Sequence, residues 1–202
     1  VTARDPNIEQ DVRAIVRRIV DGLFGEDTAA PAGDTPSEVS STPPPHDAAS
    51  SVHTVAIGGD HGGFALKERL AFKLKEQGLS VIDCGTSSTD AVDYPDIAAS
   101  VADKVQSGSA DVGIAIDGAG IGSAMAANKI HGIRAALCYD VSTARNAREH
   151  NHANILTLGA GLIGDALAWQ ITLEFLSTPY GGGRHARRVR KISDLERTPV
   201  ER

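Results

Sequence analysis

The sequence is short of the features that announce several protein classes. Its two cysteines, Cys84 and Cys138, are too few for a disulfide framework and lack the spacing of a metal site. Each lies in an apolar run, so both read as buried thiols in a reducing setting. No stretch approaches the ~18–20 uninterrupted apolar residues of a membrane span. The opening VTARDPNIEQDVRAIVRR is broken by charge within a few residues, unlike the apolar centre of a secretory signal. Cations are scarce as well: 20 Lys and Arg against 26 Asp and Glu give a formal charge of −6, a poor footprint for nucleic acid. These absences predict a cytoplasmic protein that engages neither nucleic acid nor membrane. Its 202 residues allow one domain with appendages.

Composition then divides the chain. Residues 26–53 hold five of the nine prolines and eight Ser or Thr, with five acids and no Lys or Arg. Such a stretch cannot bury enough apolar surface to offset the entropy of ordering it, which predicts a disordered linker spanning ~30 Å. Ahead of it, Ile8, Val12, Ile15, Ile19 and Leu23 recur at helical spacing, and Val16, Val20 and Phe24 widen the stripe. Asp5 and Pro6 suit the start of that helix and Gly25 its end. A tethered amphipathic helix has three uses: folding back on its own domain, lying on a membrane surface, or docking into a groove on another protein. Four basic and four acidic residues within 1–25 make a weak signal for anionic lipid, which favours docking.

From Thr54 the pattern alternates. Strands are predicted over 55–58, 79–84, 112–116, 133–139 and 155–159, with helices over 64–77, 96–107, 121–130, 141–150 and 162–177. Short apolar strands separated by helices predict a three-layer α/β/α, doubly wound, Rossmann-like fold around a five-stranded parallel sheet. Function in such folds gathers beyond the carboxyl ends of the strands. Asp60, His61, Tyr94, the DGAGIG run of 117–122 with Ser123, and the RE-HNHAN run of 148–154 are assigned there. The glycines of 117–122 permit close backbone approach, and amides at a helix start suit an oxyanion or phosphate. NAD is excluded, because the glycines follow the third strand and Asp83 lies too near the first turn to reach a ribose. From Gly181 the tail carries seven Lys or Arg against three acids. Arg184 and Arg188 in it are four apart, a spacing that lets two guanidiniums on one helical face grip one phosphate.

The stretches GGDHGGFALK, DYPD, DGAGIG with AANK, GIRAA, REHNHAN and GGGRHARRV occur in order over 55–195 and resemble the ribose-5-phosphate isomerase B family, which also contains the galactose-6-phosphate isomerase subunits. The resemblance implies an aldose–ketose isomerase that uses no metal or cofactor, acts on a phosphorylated sugar, and forms a homodimer or homotetramer with sites at the dimer interface. It assigns ring opening to His150 with Asp60, and hydrogen transfer between C1 and C2 to the position of Asp117. The enediolate falls to the amides of Gly118, Ala119, Gly120 and Gly122. The phosphate falls to Arg184, Arg188 and His61, and the sugar to Asn151 and Tyr94. Cys84 and Cys138 do not occupy the base position. His46, His53 and His131 read as surface groups, and His152 is open between roles.

Departures from the family pattern keep a second reading in play. The family base is usually a Cys directly before the loop or a Glu just after it, where this chain has Asp117 and Ser123. A Thr or Ser inside the loop is Ala119, and an Arg in the fifth-strand loop is Gly161. A catalytically altered member, binding sugar phosphate or serving as a partner subunit, or an isomerase of another sugar phosphate, fits those changes. The layout of short helix, linker and enzyme-like domain also resembles the encapsulation peptides of bacterial microcompartment cargo. That implies shell proteins or other cargo as partners of residues 5–25, and a microcompartment lumen as the location.

Overall fold

The computed structural model describes residues 52–196. The amphipathic segment 1–25, the linker up to residue 51 and residues 197–202 lie outside the described residues.

The elements run β1 (Thr54–Gly59), α1 (Phe64–Glu76), β2 (Ser80–Asp83), α2 (Tyr94–Gln106), β3 (Val112–Asp117), α3 (Ile121–Ala127), β4 (Ala135–Leu137), α4 (Val141–Asn151), β5 (Ile155–Gly159), α5 (Asp165–Ser177) and α6 (Gly183–Asp194). Every strand pairing is parallel, in the order β2-β1-β3-β5-β4. The doubly wound five-stranded sheet is the fold the alternation predicts. The central strands β1, β3 and β5 are buried on both faces, which explains why they read as unbroken apolar runs.

Helices cover both faces. On one side Leu66, Leu70 and Leu74 of α1 pack with Ala144 and Ala147 of α4 and with Ala168, Ile171 and Phe175 of α5 against Ile57 of β1, Ile114 of β3 and Leu156 of β5. On the other, Val101 and Ala102 of α2 and Ala127 of α3 close over Ala56 and Ile155. The i, i+4 repeat of leucines in α1 is the amphipathic period that drives this burial. One member breaks the apolar rule. Lys67 is 1% exposed, with its ammonium 2.6 Å from Asp83 and 2.8 Å from Glu68. Burial penalises the charged ammonium, and the hydrogen bonds and charges of Asp83 and Glu68 outweigh that penalty, raising its pKa.

Three elements are shorter than the sequence expectation by three or four residues, each for a visible reason. α3 stops at Ala127 because the Asn128 amide group donates to the Ala124 and Ala135 carbonyls and its oxygen accepts from the Ala135 N–H. β4 is only three residues long; the Arg134 N–H before it bonds to the Asn154 side chain instead of a neighbouring strand. α5 begins at Asp165, since the Ala160 and Gly161 amides are engaged by the carbonyls of Asp117 and Gly118. From β1 the chain turns outward to β2, whereas from β3 it proceeds to β4 on the other side. The loops after β1 and β3 therefore diverge at the carboxyl edge and leave a crevice between them.

Candidate functional site

At that crevice the first two loops touch. The Asp60 amide donates to the Ile116 carbonyl at 3.1 Å, joining the ends of β1 and β3. Its side chain is 7% exposed, and Oδ1 accepts from the Gly63 N–H at 2.8 Å. A Cβ at Gly62 would sit 3.4 Å from that oxygen and 3.8 Å from the Gly118 nitrogen, so the carboxylate lies beside the glycine loop. His61 is exposed, with Nδ1 3.4 Å from the Val92 N–H. Tyr94, at the start of α2, lays its ring on Gly122, where a side chain would collide with it.

The glycine loop is fixed from several directions. Gly120 has φ +77°, and a Cβ there would meet Leu137 Cδ1 at 2.6 Å and the Leu158 carbonyl carbon at 2.8 Å. Tyr139 donates to the Ala119 carbonyl and Thr157 to the Gly120 carbonyl, each at 2.9 Å. Among the described residues, the amides of Gly118, Ile121 and Gly122 have no protein acceptor. Unpaired main-chain donors at a helix start are suited to an oxyanion.

Asp117, the base that the resemblance implies, is held by its own loop. It is 5% exposed; Oδ1 accepts from the Ala119 amide at 2.7 Å and from the Gly120 amide, and Oδ2 accepts from the Ser123 amide at 2.9 Å. Burial alone would raise its pKa. The hydrogen bonds from the Ser123 hydroxyl and from the Ser123, Gly120 and Ala119 amides outweigh burial and hold the carboxyl below the usual carboxylate range. A carboxylate offers about four lone-pair positions, and these four donors occupy them. The side chain is turned into its own loop.

A second correction concerns His150 and Asn151, which the sequence grouped with the crevice. α4 runs antiparallel to the strands, so its last turn reaches the opposite, starting edge of the sheet. There Arg134 Nε donates to the His152 carbonyl and Asn154 accepts the Gly113 amide at the beginning of β3. The length of β3 separates the two edges by ~16 Å, at about 3.3 Å per residue. α6 joins this second group: the Gly181 amide donates to the Glu149 carbonyl, and the His185 ring stacks on His150 with centroids 4.2 Å apart. Arg184 and Arg188 are both on α6, one turn apart and exposed.

Sequence reasoning missed two neighbours of His150. Asn146 Nδ2 lies 2.8 Å from His150 Nδ1, and its oxygen accepts from Asn151 Nδ2 at 3.4 Å. His185 is held below its ordinary pKa by desolvation and then by His150, Arg184 and Arg188. The four-residue step from Asn146 to His150 was the available signal for the first. His152, left open by the sequence, adopts φ 49° and stacks on Tyr180 at 4.3 Å. Burial, then Arg134 and Arg148, push its pKa down. Burial raises both thiols, Cys138 to about 11, so neither is a thiolate at neutral pH. Among the described residues no cluster of His, Cys, Asp and Glu could hold a metal ion, and no helix is long and apolar enough to cross a membrane.

Comparison with known proteins matches residues 55–192 to the family described as Ribose/Galactose Isomerase. Ribose-5-phosphate isomerase B of Escherichia coli is 44% identical over 142 residues, covering 70% of this chain and 95% of the relative. The solved structure of Clostridium thermocellum ribose-5-phosphate isomerase B superposes with a TM-score of 0.70 at 50% identity, covering 71% of this chain and 97% of that one. The Mycoplasma genitalium enzyme, solved with ribulose-5-phosphate bound, gives a TM-score of 0.69 at 42% identity, covering 71% and 96%.

Proposed function

This chain belongs to the ribose/galactose isomerase family, and from that premise we propose that it interconverts ribose 5-phosphate and ribulose 5-phosphate through an enediolate. The observation that carries the reading is the pairing of unbonded Gly118, Ile121 and Gly122 amides with the buried Asp60 carboxylate at one crevice. Such amides favour negative charge as it develops on a substrate oxygen, and a carboxylate beside them can move protons.

The remaining expected groups, His150, Asn151, Arg184 and Arg188, stand at the far edge of the same sheet. A sugar phosphate is much shorter than that separation, so one chain cannot bring both sets to one molecule. Two copies related by a two-fold axis would set the starting edge of one against the crevice of the other. In that arrangement His150 acts with Asp60 on the ring oxygen, Asn151 binds sugar hydroxyls, and Arg184 and Arg188 with His61 hold the phosphate. Tyr94 flanks the sugar. Residues 5–25 serve as a docking helix for a microcompartment shell or its cargo, which would place the enzyme in that lumen.

A second reading has its own observation. The hydrogen-bonded state of Asp117 fits a member that binds sugar phosphate without turning it over, or that supplies one half of a site to a partner subunit. A coupled assay of the purified full chain with a panel of pentose and hexose phosphates separates them. Turnover of ribose 5-phosphate is the expected result; binding without turnover across the panel would replace it with the second reading. Fusing residues 1–25 to a fluorescent protein tests packaging. Punctate fluorescence in cells making a shell is expected, lost when Ile15 and Ile19 are replaced by Asp; diffuse fluorescence of the parent fusion would refute it.

A further inference from the structure

We propose that Asp60, and not Asp117, removes the carbon-bound hydrogen, while Asp117 is a positioning residue that holds the glycine loop in shape. The proposal deepens the isomerase reading and rests on it.

Among the described residues these are the two buried aspartates, and they lie at the ends of adjacent strands. Their hydrogen bonding differs sharply. Asp117 receives donors on both oxygens from residues two, three and six positions ahead, closing the loop around itself. To accept a proton it would have to surrender these bonds, and the loop amides would turn with it. Asp60 has one oxygen on the Gly63 amide, and its Oδ2 has no protein donor among the described residues. The carboxylate lies beside Gly118, since a Cβ at Gly62 would sit 3.4 Å from Asp60 Oδ1 and 3.8 Å from the Gly118 nitrogen, an amide with no acceptor among the described residues. A base and an oxyanion donor are thus side by side, which proton abstraction next to a carbonyl requires.

The step balances without any further reactant. From ribulose 5-phosphate, Asp60 takes a proton from C1, and the C–H electron pair forms the C1–C2 double bond. The carbonyl pair moves onto O2, where the loop amides hold the charge. The O1 hydroxyl proton passes to O2, the carbonyl re-forms at C1, and Asp60 returns its proton to C2. Asp117 contributes by keeping the Ala119, Gly120 and Ser123 amides turned inward, which leaves Gly118, Ile121 and Gly122 for substrate.

Ribulose 5-phosphate isolates this step, because its 5-hydroxyl is esterified and it cannot close a furanose ring. Exchange of its C1 hydrogen with deuterium oxide therefore reports proton abstraction without ring opening. Amide hydrogen exchange at 119, 120 and 123 reports the loop independently of activity. Wild type is expected to incorporate deuterium and to protect those amides. Asp60→Asn should lower incorporation roughly 10²–10⁴-fold with the loop still protected. Asp117→Asn should lose protection at those amides and lower incorporation about tenfold, chiefly through KM, in line with one or two weakened donors. The reverse pattern, incorporation abolished by Asp117→Asn with protection kept, would overturn the proposal. If Asp117→Asn does not fold, Asp60→Asn decides alone: incorporation near the wild-type rate would overturn it. A wild type that protects the amides but exchanges no hydrogen would refute the isomerase reading and the role of Asp60, leaving only the loop-holding role of Asp117.

Discussion

At the carboxyl edge of the sheet the proposed recognition groups are main-chain amides, set by glycines and locked by a buried carboxylate. At the starting edge they are side chains, carried on the last turn of α4 and on the exposed face of α6. The first kind of site is part of the core and stands or falls with it. The second is added to the surface, held by ring stacking between His150 and His185 and by one main-chain bond from Gly181. A buried main-chain site gains rigidity at the cost of tolerating few substitutions. A surface side-chain site is easily altered but needs another surface to complete it.

Complementation breaks or upholds this division most directly. A chain carrying Asp60→Asn and one carrying Arg184→Ala should each be inactive, because each spoils one half of every site. Refolded together as mixed dimers, they should recover about a quarter of wild-type activity, since half of the dimers are mixed and each has one intact site. Recovery indistinguishable from zero, in dimers shown to be mixed, would place both halves in one copy.

Glycine substitutions give a smaller contrast. Gly120→Ala at the crevice meets backbone at Leu158 and has φ +77°, and should lower stability by about 2–4 kcal/mol in denaturant unfolding. Gly183→Ala at the other edge has φ +50° but open space around it, and should cost about 1 kcal/mol. Equal losses would show that the crevice is no more tightly packed than the surface.

Acid gives the gentlest contrast. His152 has a depressed pKa in the fold, so its neutral form contributes stability that is complete above about 6.5 and lost as pH falls below it. Asp117 is also depressed, so its contribution is complete above about 3.9 and lost only as pH falls through that range. Hydrogen exchange followed on acidification should therefore show the His152 region loosening first and the glycine loop last. The opposite order would contradict the assigned environments.

Much of the fold was legible because hydrophobic periodicity is local. The run 112–116 has no polar residue on either face and 155–159 has only Thr157, and only a strand buried on both sides tolerates that. Boundaries were less legible where side chains replaced main-chain partners, as Asn128 does at the end of α3 and Asn154 does before β4. The buried Lys67 was not legible either, since its partner Asp83 comes from the next strand. In the candidate site, residue types were readable and their commitments were not. Asp117 and Asp60 look alike as letters, yet donors from the folded loop saturate one, while an oxygen of the other has no donor among the described residues.

The amino-acid order alone settled the alternation of strands and helices, the glycine turn after the third strand, and the two arginines four residues apart, because these depend on neighbours within a few positions. Tertiary structure decided which edge of the sheet each group occupies, since the antiparallel return of the helix after a strand carries its far end to the opposite side. It also decided which carboxylate keeps an open oxygen, because hydrogen-bond capacity is finite and only the folded chain determines which donors arrive.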